Sequence, residues 1–183
     1  MKELCDHMKG HVSQILVEWE QLVREEPWFS LPPEHRIDSL PDVIISLVGA
    51  SVCEPLDREA HRRNIEAACQ HGSNRRKQGI PEHLIFTEYH LLRHAIWRFL
   101  TANFRPSERI TQAMLRIDSA IALATNASMW GYYRDEIQAL GKWEEGMKRI
   151  AHSSPFLIDD AGAVPELRGD AEESRLRPDR NLP

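Results

Sequence analysis

Residues 71–97 read HGSNRRKQGIPEHLIFTEYHLLRHAIW, and they decide the fold because one helix ends and another begins within them. Three cations precede Gly79, where positive side chains stabilise the carboxyl end of a helix dipole. Glycine is the usual residue in the left-handed conformation that ends a helix. Pro81 suits the first position of the following helix. The short turn between the two segments predicts an antiparallel helical hairpin.

The second segment carries a broad apolar helical face. Its members recur at spacings of three and four residues: Leu84, Ile85, Leu91, Leu92, Ala95, Ile96, Phe99 and Leu100. Glu88 falls among them, where a carboxylate without a partner would be destabilising. If the two helices fold back antiparallel about residues 79–80, His71 lies opposite Glu88. Arg75 then lies one helical turn closer to the connection. We therefore expect Glu88 to have a buried partner, in either a structural pair or a sensing or ligand site.

Gly72 lies inside a predicted helix, where glycine costs about 1 kcal/mol relative to alanine. Close helix packing is the expected reason for its presence. The same antiparallel pairing places Gly72 level with Thr87 and next to Tyr89. We therefore predict that Gly72 leaves a notch for the Tyr89 ring, so that His71, Gly72, Glu88 and Tyr89 pack as one unit.

This stretch resembles the N-terminal sensor domain of RsbRD-type stressosome co-antagonists, a domain also found ahead of bacterial histidine kinases. The residues that carry the resemblance are His71, Gly72, Arg75, Arg76, Gly79, Glu88, Tyr89, Leu91, Leu92 and Arg93. A weaker match is Ser39–Asp42 with the apolar run that follows, and the resemblance spans about residues 8–135. It implies an all-helical, globin-like sensor fold that binds no haem, forms dimers and signals to an output domain. The sequence shows no STAS, kinase or receiver pattern, so the expected output partner is unknown.

Composition is consistent with one helical domain. The chain has 183 residues, 42% of them hydrophobic, and a formal net charge of −5. We predict an all-α, globin-like bundle of about five to six helices over residues 1–152, with a long C-terminal helix. Residues 153–183 are rich in charge and interrupted by proline, which predicts a disordered tail. The negative charge disfavours nucleic-acid binding, and the absence of a run of about 18 apolar residues disfavours a membrane span.

The number and spacing of the cysteines indicate the cellular compartment of the protein. Cys5, Cys53 and Cys69 are odd in number and show no paired spacing. Such a set predicts reduced thiols and a cytoplasmic protein.

The two ends of the domain are predicted to form long helices. Residues 2–26 carry apolar residues on one face, and a helical pattern runs from Ser107 to Ile150. A helix of about forty residues would extend roughly 60 Å, which suggests a partner chain or a signalling stalk. Within it, a stripe of five residues is predicted to form a homodimer interface, or alternatively the chain's own core: Ile110, Met114, Ile117, Ile121 and Ala124.

Histidine pairs support an alternative function. His7 with His11, and His90 with His94, are spaced by one helical turn, so each pair could chelate a metal or offer a haem ligand. No phosphate-binding loop, nucleophile elbow or kinase motif occurs. The principal hypothesis is therefore a dimeric, non-enzymatic cytoplasmic sensor or regulatory domain without a cofactor, which relays a helix-packing change to a partner protein.

Overall fold

The computed structural model describes residues 2–53 and 58–152, with side chains described through Ile150. These residues form an all-α bundle without a strand, which confirms the predicted fold class. One 3₁₀ helix, Pro27–Ser30, and nine α-helices occur in the described ranges: α1 (Lys2–Gly10), α2 (Val12–Leu22), α3 (Pro33–Ile37), α4 (Leu40–Ser51), α5 (Arg58–Lys77), α6 (Glu82–Asn103), α7 (Glu108–Tyr132), α8 (Arg134–Ala139) and α9 (Trp143–His152). None of these helices is both long and apolar enough to cross a bilayer. The predicted tail at 153–183 lies outside the described residues.

Helix α7 lies at the centre of the bundle, against α4, α5 and α6. Its closest neighbour is α5, because two glycines allow the backbones to touch. A side chain at Gly72 would overlap the Ser128 carbonyl, and one at Gly131 would overlap the Cys69 carbonyl. The notch at Gly72 therefore receives the α7 backbone and not the ring of Tyr89, so that detail of the prediction is wrong.

The turn between α5 and α6 forms as predicted. Gly79 has a φ of +73°, and the Ile80 amide donates to the Arg75 carbonyl at 3.0 Å. This pattern is a helix stop in which a left-handed glycine satisfies an end carbonyl. Helix α6 begins at Glu82, directly after Pro81. The two helices meet near this turn, but α5 packs mainly against α7, so the hairpin is less extensive than expected.

Both predicted long helices are divided. The first breaks at His11, whose φ of −122° and ψ of 26° separate α1 from α2. The long C-terminal helix is present as α7, with 25 residues, but it ends at Tyr132. Gly141, with a φ of +65°, then redirects the chain so that α9 returns to α5 and α7. No helix of about forty residues forms, and the expectation of a projecting stalk is wrong.

The α7 stripe faces the inside of the molecule. Ile110, Ile117, Ile121 and Ala124 are buried, and Met114 is half-buried against the same core. Because α4, α5 and α6 already surround α7, these residues offer little surface to a second chain. Their prediction as a dimer interface is wrong, and the alternative of an intramolecular core is confirmed.

Cys5 and Cys53 form a disulfide between α1 and the end of α4, with a Cα–Cα distance of 5.1 Å. Cys69 is free and buried. The prediction of reduced thiols is therefore wrong for Cys5 and Cys53. Sequence spacing could not reveal this pair, because the packing of α1 on α4 brings the two residues together.

Candidate functional site

A buried charged cluster joins α5 to α6. Glu88 is 2% exposed, and its two partners, His71 and Arg75, are fully buried. Arg75 donates from Nη2 to Oε1 of Glu88 at 2.6 Å and from Nε to Oε2 at 2.9 Å. His71 Nε2 lies 3.0 Å from the same Oε2. The predicted contact with His71 is confirmed, and Arg75 adds a two-pronged contact of the strong guanidinium–carboxylate type. We call these three residues the Glu88 cluster.

Arg75 also connects the cluster to the end of α3. Its Nη1 donates to the His35 carbonyl at 3.0 Å, and its Nη2 donates to the Arg36 carbonyl at 2.7 Å. These carbonyls end a helix and lack partners within it. Nη1 also donates to Gln78 Oε1 at 2.8 Å. One guanidinium therefore holds three helices in a fixed relation.

His71 extends the cluster to the start of α4. Its Nδ1 lies 2.8 Å from Ser39 Oγ, and that hydroxyl donates to Asp38 Oδ1 at 2.6 Å. Ser39 occupies the N-cap position of α4, but its side chain makes no capping hydrogen bond. Since the Ser39 oxygen and the Glu88 carboxylate both accept, the geometry fits an imidazole with hydrogens on both nitrogens.

Tyr89 links α6 to α7 and α5. Ser128 Oγ donates to the Ala68 carbonyl at 2.7 Å, so the Tyr89 hydroxyl, 2.8 Å away, is the donor to Ser128. Burial raises the pKa of the Tyr89 phenol, which stays a neutral donor. The Tyr89 ring also lies edge-on to His71, with centroids 5.7 Å apart. Tyr89 is thus an extension of the Glu88 cluster toward the centre of the bundle.

The cluster is held in its charged form. Burial alone would raise the pKa of Glu88, but the positive charges and hydrogen bonds of His71 and Arg75 lower it to about 2. Burial would likewise lower the pKa of Arg75, and the Glu88 carboxylate raises it instead. The carboxylate therefore lacks the raised pKa of a buried general base. Its chemistry is that of a fixed internal salt bridge.

Arg76 and Arg93 lie away from the cluster. Arg76 pairs with Glu136 at the surface, and its guanidinium carbon lies 5.4 Å from the centre of the Tyr132 ring. Arg93 Nε lies 3.2 Å from Asp118 Oδ1, where it lines an open groove of about 570 Å³ between α6 and α7. Among the residues that carry the resemblance, His71, Gly72, Arg75, Glu88 and Tyr89 thus lie in the buried region around Glu88, whereas Arg76 and Arg93 do not.

The histidine pairs do not converge on a metal site. The His7 and His11 rings stack with centroids 4.1 Å apart, and His7 packs against Phe99 and Phe104. His90 and His94 have ring centroids 4.6 Å apart. Across residues 2–53 and 58–152, no group of three or more His, Cys, Asp and Glu side chains could hold a metal ion.

Sequence reasoning missed Ser39 and Ser128 as members of the network. Ser39 lies at the N-cap position of α4, but its hydroxyl bonds to His71 and Asp38 and not to the helix. Ser128 lies between Ala127 and Met129 of α7, and nothing in that local sequence predicts its hydrogen bonds to Tyr89 and Ala68. No protein-family model matches this sequence, no curated protein is significantly similar to it, and no solved structure matches it.

Proposed function

We propose that this chain is a non-enzymatic sensor or regulatory domain of bacterial signal transduction, similar to RsbRD-type sensor domains, which relays a change in helix packing to a partner protein. The observation that carries the proposal is the Glu88 cluster, which joins α3, α4, α5 and α6 through a few directional contacts. Its three members are also residues on which the resemblance rests.

The physical reason is that a buried ion pair favours one arrangement of its helices over others more than it adds net stability. If α6 shifted against α5, Arg75 and His71 would lose their contacts with Glu88 together. Packed elements with such contacts move between discrete arrangements and not by gradual deformation. A device of this kind converts a small local change into a change of helix packing.

Homodimerisation remains part of the proposal, on a surface other than the α7 stripe. Phe86 on α6 and Leu115 on α7 are 52% and 62% exposed, and we propose them as apolar contacts that a second copy covers. Light scattering should give a dimer mass for the parent chain and a monomer mass for Phe86→Asp with Leu115→Asp. Lys148→Asp, on exposed α9, serves as the control for an added acidic residue. A parent chain that stays monomeric at high concentration contradicts this part.

The cytoplasmic location was predicted from the number and spacing of the cysteines, and the disulfide between Cys5 and Cys53 removes that argument, so the proposed location now rests on the resemblance alone. A reducing cytoplasm would tend to keep the Cys5–Cys53 pair as thiols. Neither nucleic acid nor a bilayer is among the proposed partners, in keeping with the net charge of −5.

The test is affinity purification of the parent chain, Glu88→Gln and Glu25→Ala from the native bacterial cell. Glu25 is exposed, so Glu25→Ala controls for loss of a carboxylate. We expect a signalling protein to accompany the parent and the control, and less of it to accompany Glu88→Gln when circular dichroism shows that variant folded. Equal recovery with all three chains contradicts a relay through the cluster. Stoichiometric metal by elemental analysis, or a Soret band, would favour the alternative of a metal- or haem-binding protein.

A further inference from the structure

The amphipathic helix α9 covers a groove between α5 and α7. It has ten residues, of which Trp143, Met147 and Ile150 pack on the hydrophobic core. A free helix of this length is barely stable in water, so α9 is helical because it packs on the bundle. It covers far less of α5 than α7 does. A few side chains therefore hold α9 in place.

The floor of this groove contains Cys69 of α5 and Trp130 of α7. The Cys69 thiol donates to Met147 Sδ at 3.7 Å, and the centroids of the Trp130 and Trp143 rings lie 6.3 Å apart. Gly146 leaves the space that the Trp130 ring fills, since a side chain at Gly146 would overlap that ring. The groove thus fits a helix with an aromatic residue, a glycine three positions later and a long apolar side chain directly after it. We call this surface the α9 groove.

The Cys69 thiol reports whether α9 covers the groove. Burial raises the pKa of Cys69 to about 12, and the nearby charges of Arg134 and Glu66 act in opposite directions. The thiol is therefore protonated and unreactive while α9 lies over it. With Cys5 and Cys53 joined in the disulfide, Cys69 is the free thiol of the chain.

The connection between α7 and α9 allows α9 to leave the groove as a unit. Helix α8 buries none of its residues. Gly141 has a φ of +65° and is exposed, as is Lys142 after it. Glycine adopts many backbone conformations without steric cost, which suits it to a hinge. The ion pair between Arg149 and Glu145, at 2.7 Å, lies within α9 and does not fasten it to the bundle.

We propose that α9 is a lid, and that the α9 groove binds an amphipathic helix of a partner protein in its place. The partner helix carries the pattern that α9 presents with Trp143, Gly146 and Met147, and it docks by its apolar face. A short tether gives α9 an effective concentration on the order of millimolar, so a partner helix binds weakly until α9 is loosened. Cys69 lies two residues from His71, so α5 carries both the groove and a member of the Glu88 cluster. The partner is that of the proposed function, but the groove can bind a helix whether or not the chain signals.

The lid is tested by the rate at which N-ethylmaleimide alkylates Cys69 in the whole chain, followed by intact mass. Trp143→Ser with Met147→Ser, called the lid variant, removes two apolar anchors of α9. Glu144→Ser with Lys148→Ser, at exposed positions of the same helix, is the matched control. We expect alkylation at least about tenfold faster in the lid variant, because local opening exposes the thiol, and an unchanged rate in the control.

Gly146→Leu is an independent second variant. It keeps the apolar anchors of α9 and displaces the helix by overlap with the Trp130 ring, so it should also react faster. A cooperative thermal transition by circular dichroism shows that the bundle of each variant is folded. A rate equal to that of the parent in both folded variants overturns the lid. Loss of the transition in both variants makes α9 an integral part of the bundle and overturns it as well.

Helix binding is tested by fluorescence anisotropy with a labelled peptide of residues 142–152 and a control peptide whose tryptophan and methionine are serine. We expect the first peptide to bind the lid variant at least about tenfold more tightly than the parent, because no tethered anchor competes with it. The control peptide should not bind, and bound peptide should slow the alkylation of Cys69. Fast alkylation without peptide binding overturns the groove as a site for a helix. Neither measurement uses the native partner, so the groove and the proposed signalling role can fail separately.

Discussion

Replacement of Glu88 by alanine removes the acceptor on which the buried cluster depends. The carboxylate accepts from Arg75 through both oxygens and also contacts His71. Arg75 and His71 are fully buried, so water does not replace the lost contacts. Arg75 keeps its bonds to the carbonyls of α3, which hold it in place but do not neutralise its charge.

The expected loss is large for a domain of this size. Breaking a buried ion pair by removing one partner costs about 3–5 kcal/mol, because a charge is left unpaired in the interior. Domains are stable by about 5–15 kcal/mol in total. For chains of about 150–250 residues, 1 kcal/mol corresponds to about 2–4 °C in Tm, so Glu88→Ala should lower Tm by roughly 6–20 °C.

Urea unfolding followed by circular dichroism measures this loss directly. Glu25→Ala, which removes an exposed carboxylate, should stay within about 0.5 kcal/mol of the parent chain. A double-mutant cycle with Arg75→Met isolates the pair, and its interaction energy should exceed about 1 kcal/mol. If Glu88→Ala costs less than about 1 kcal/mol, Glu88 is not a buried partner of Arg75, and the reasoning is refuted.

Three further predictions concern pH, packing and the disulfide. Since the pKa of Glu88 falls from 4.5 to about 2 on folding, the stability of the parent relative to Glu88→Gln should fall by roughly 3 kcal/mol as the pH drops from above 4.5 toward 2; urea titrations from pH 7 to pH 3 test this, and a pH-independent difference contradicts it. Gly72→Ala should cost about 1–3 kcal/mol because its methyl group meets the Ser128 carbonyl, whereas Gly10→Ala, with open space around it, should be neutral or stabilising in the same thermal scans. Reduction of the disulfide should destabilise the parent chain by about 2–4 kcal/mol and leave Cys5→Ser with Cys53→Ser unaffected, and equal Tm values with and without a phosphine reductant would exclude a stabilising link.

Local rules predicted the turn and the buried carboxylate. Gly79 adopts the left-handed conformation expected of a helix stop, and Glu88 has the partner that its apolar row required. The helix stop and the partner of Glu88 could both be predicted from residues close in sequence, by using the spacing of the helix and the antiparallel pairing of adjacent helices. The run at 43–48 is likewise a buried helix, with Val43, Ile44, Leu47 and Val48 in the core.

Local sequence patterns could not predict the contacts between segments that are distant in sequence. Arg75 reaches α3 and the disulfide joins α1 to α4, and neither has a signal in local spacing. The break at Gly141 has a local signal, because a glycine with a φ of +65° ends the helix as Gly79 does, whereas the break at His11 has none. The α7 stripe was identified correctly as apolar, but only the placement of α5 and α6 shows which chain covers it.

Hydrogen exchange of the parent chain and Glu88→Gln tests the central claim, that the Glu88 cluster couples α6 to the α3–α4 region. Weakening of the cluster should increase amide exchange over α6 near residue 88 and also over residues 33–47, which contact it only through Arg75 and His71. Residues 12–22 of α2 form no hydrogen bond or ion pair with His71, Arg75 or Glu88 in the described chain, so they should keep their protection. Increased exchange confined to α6 would contradict the account.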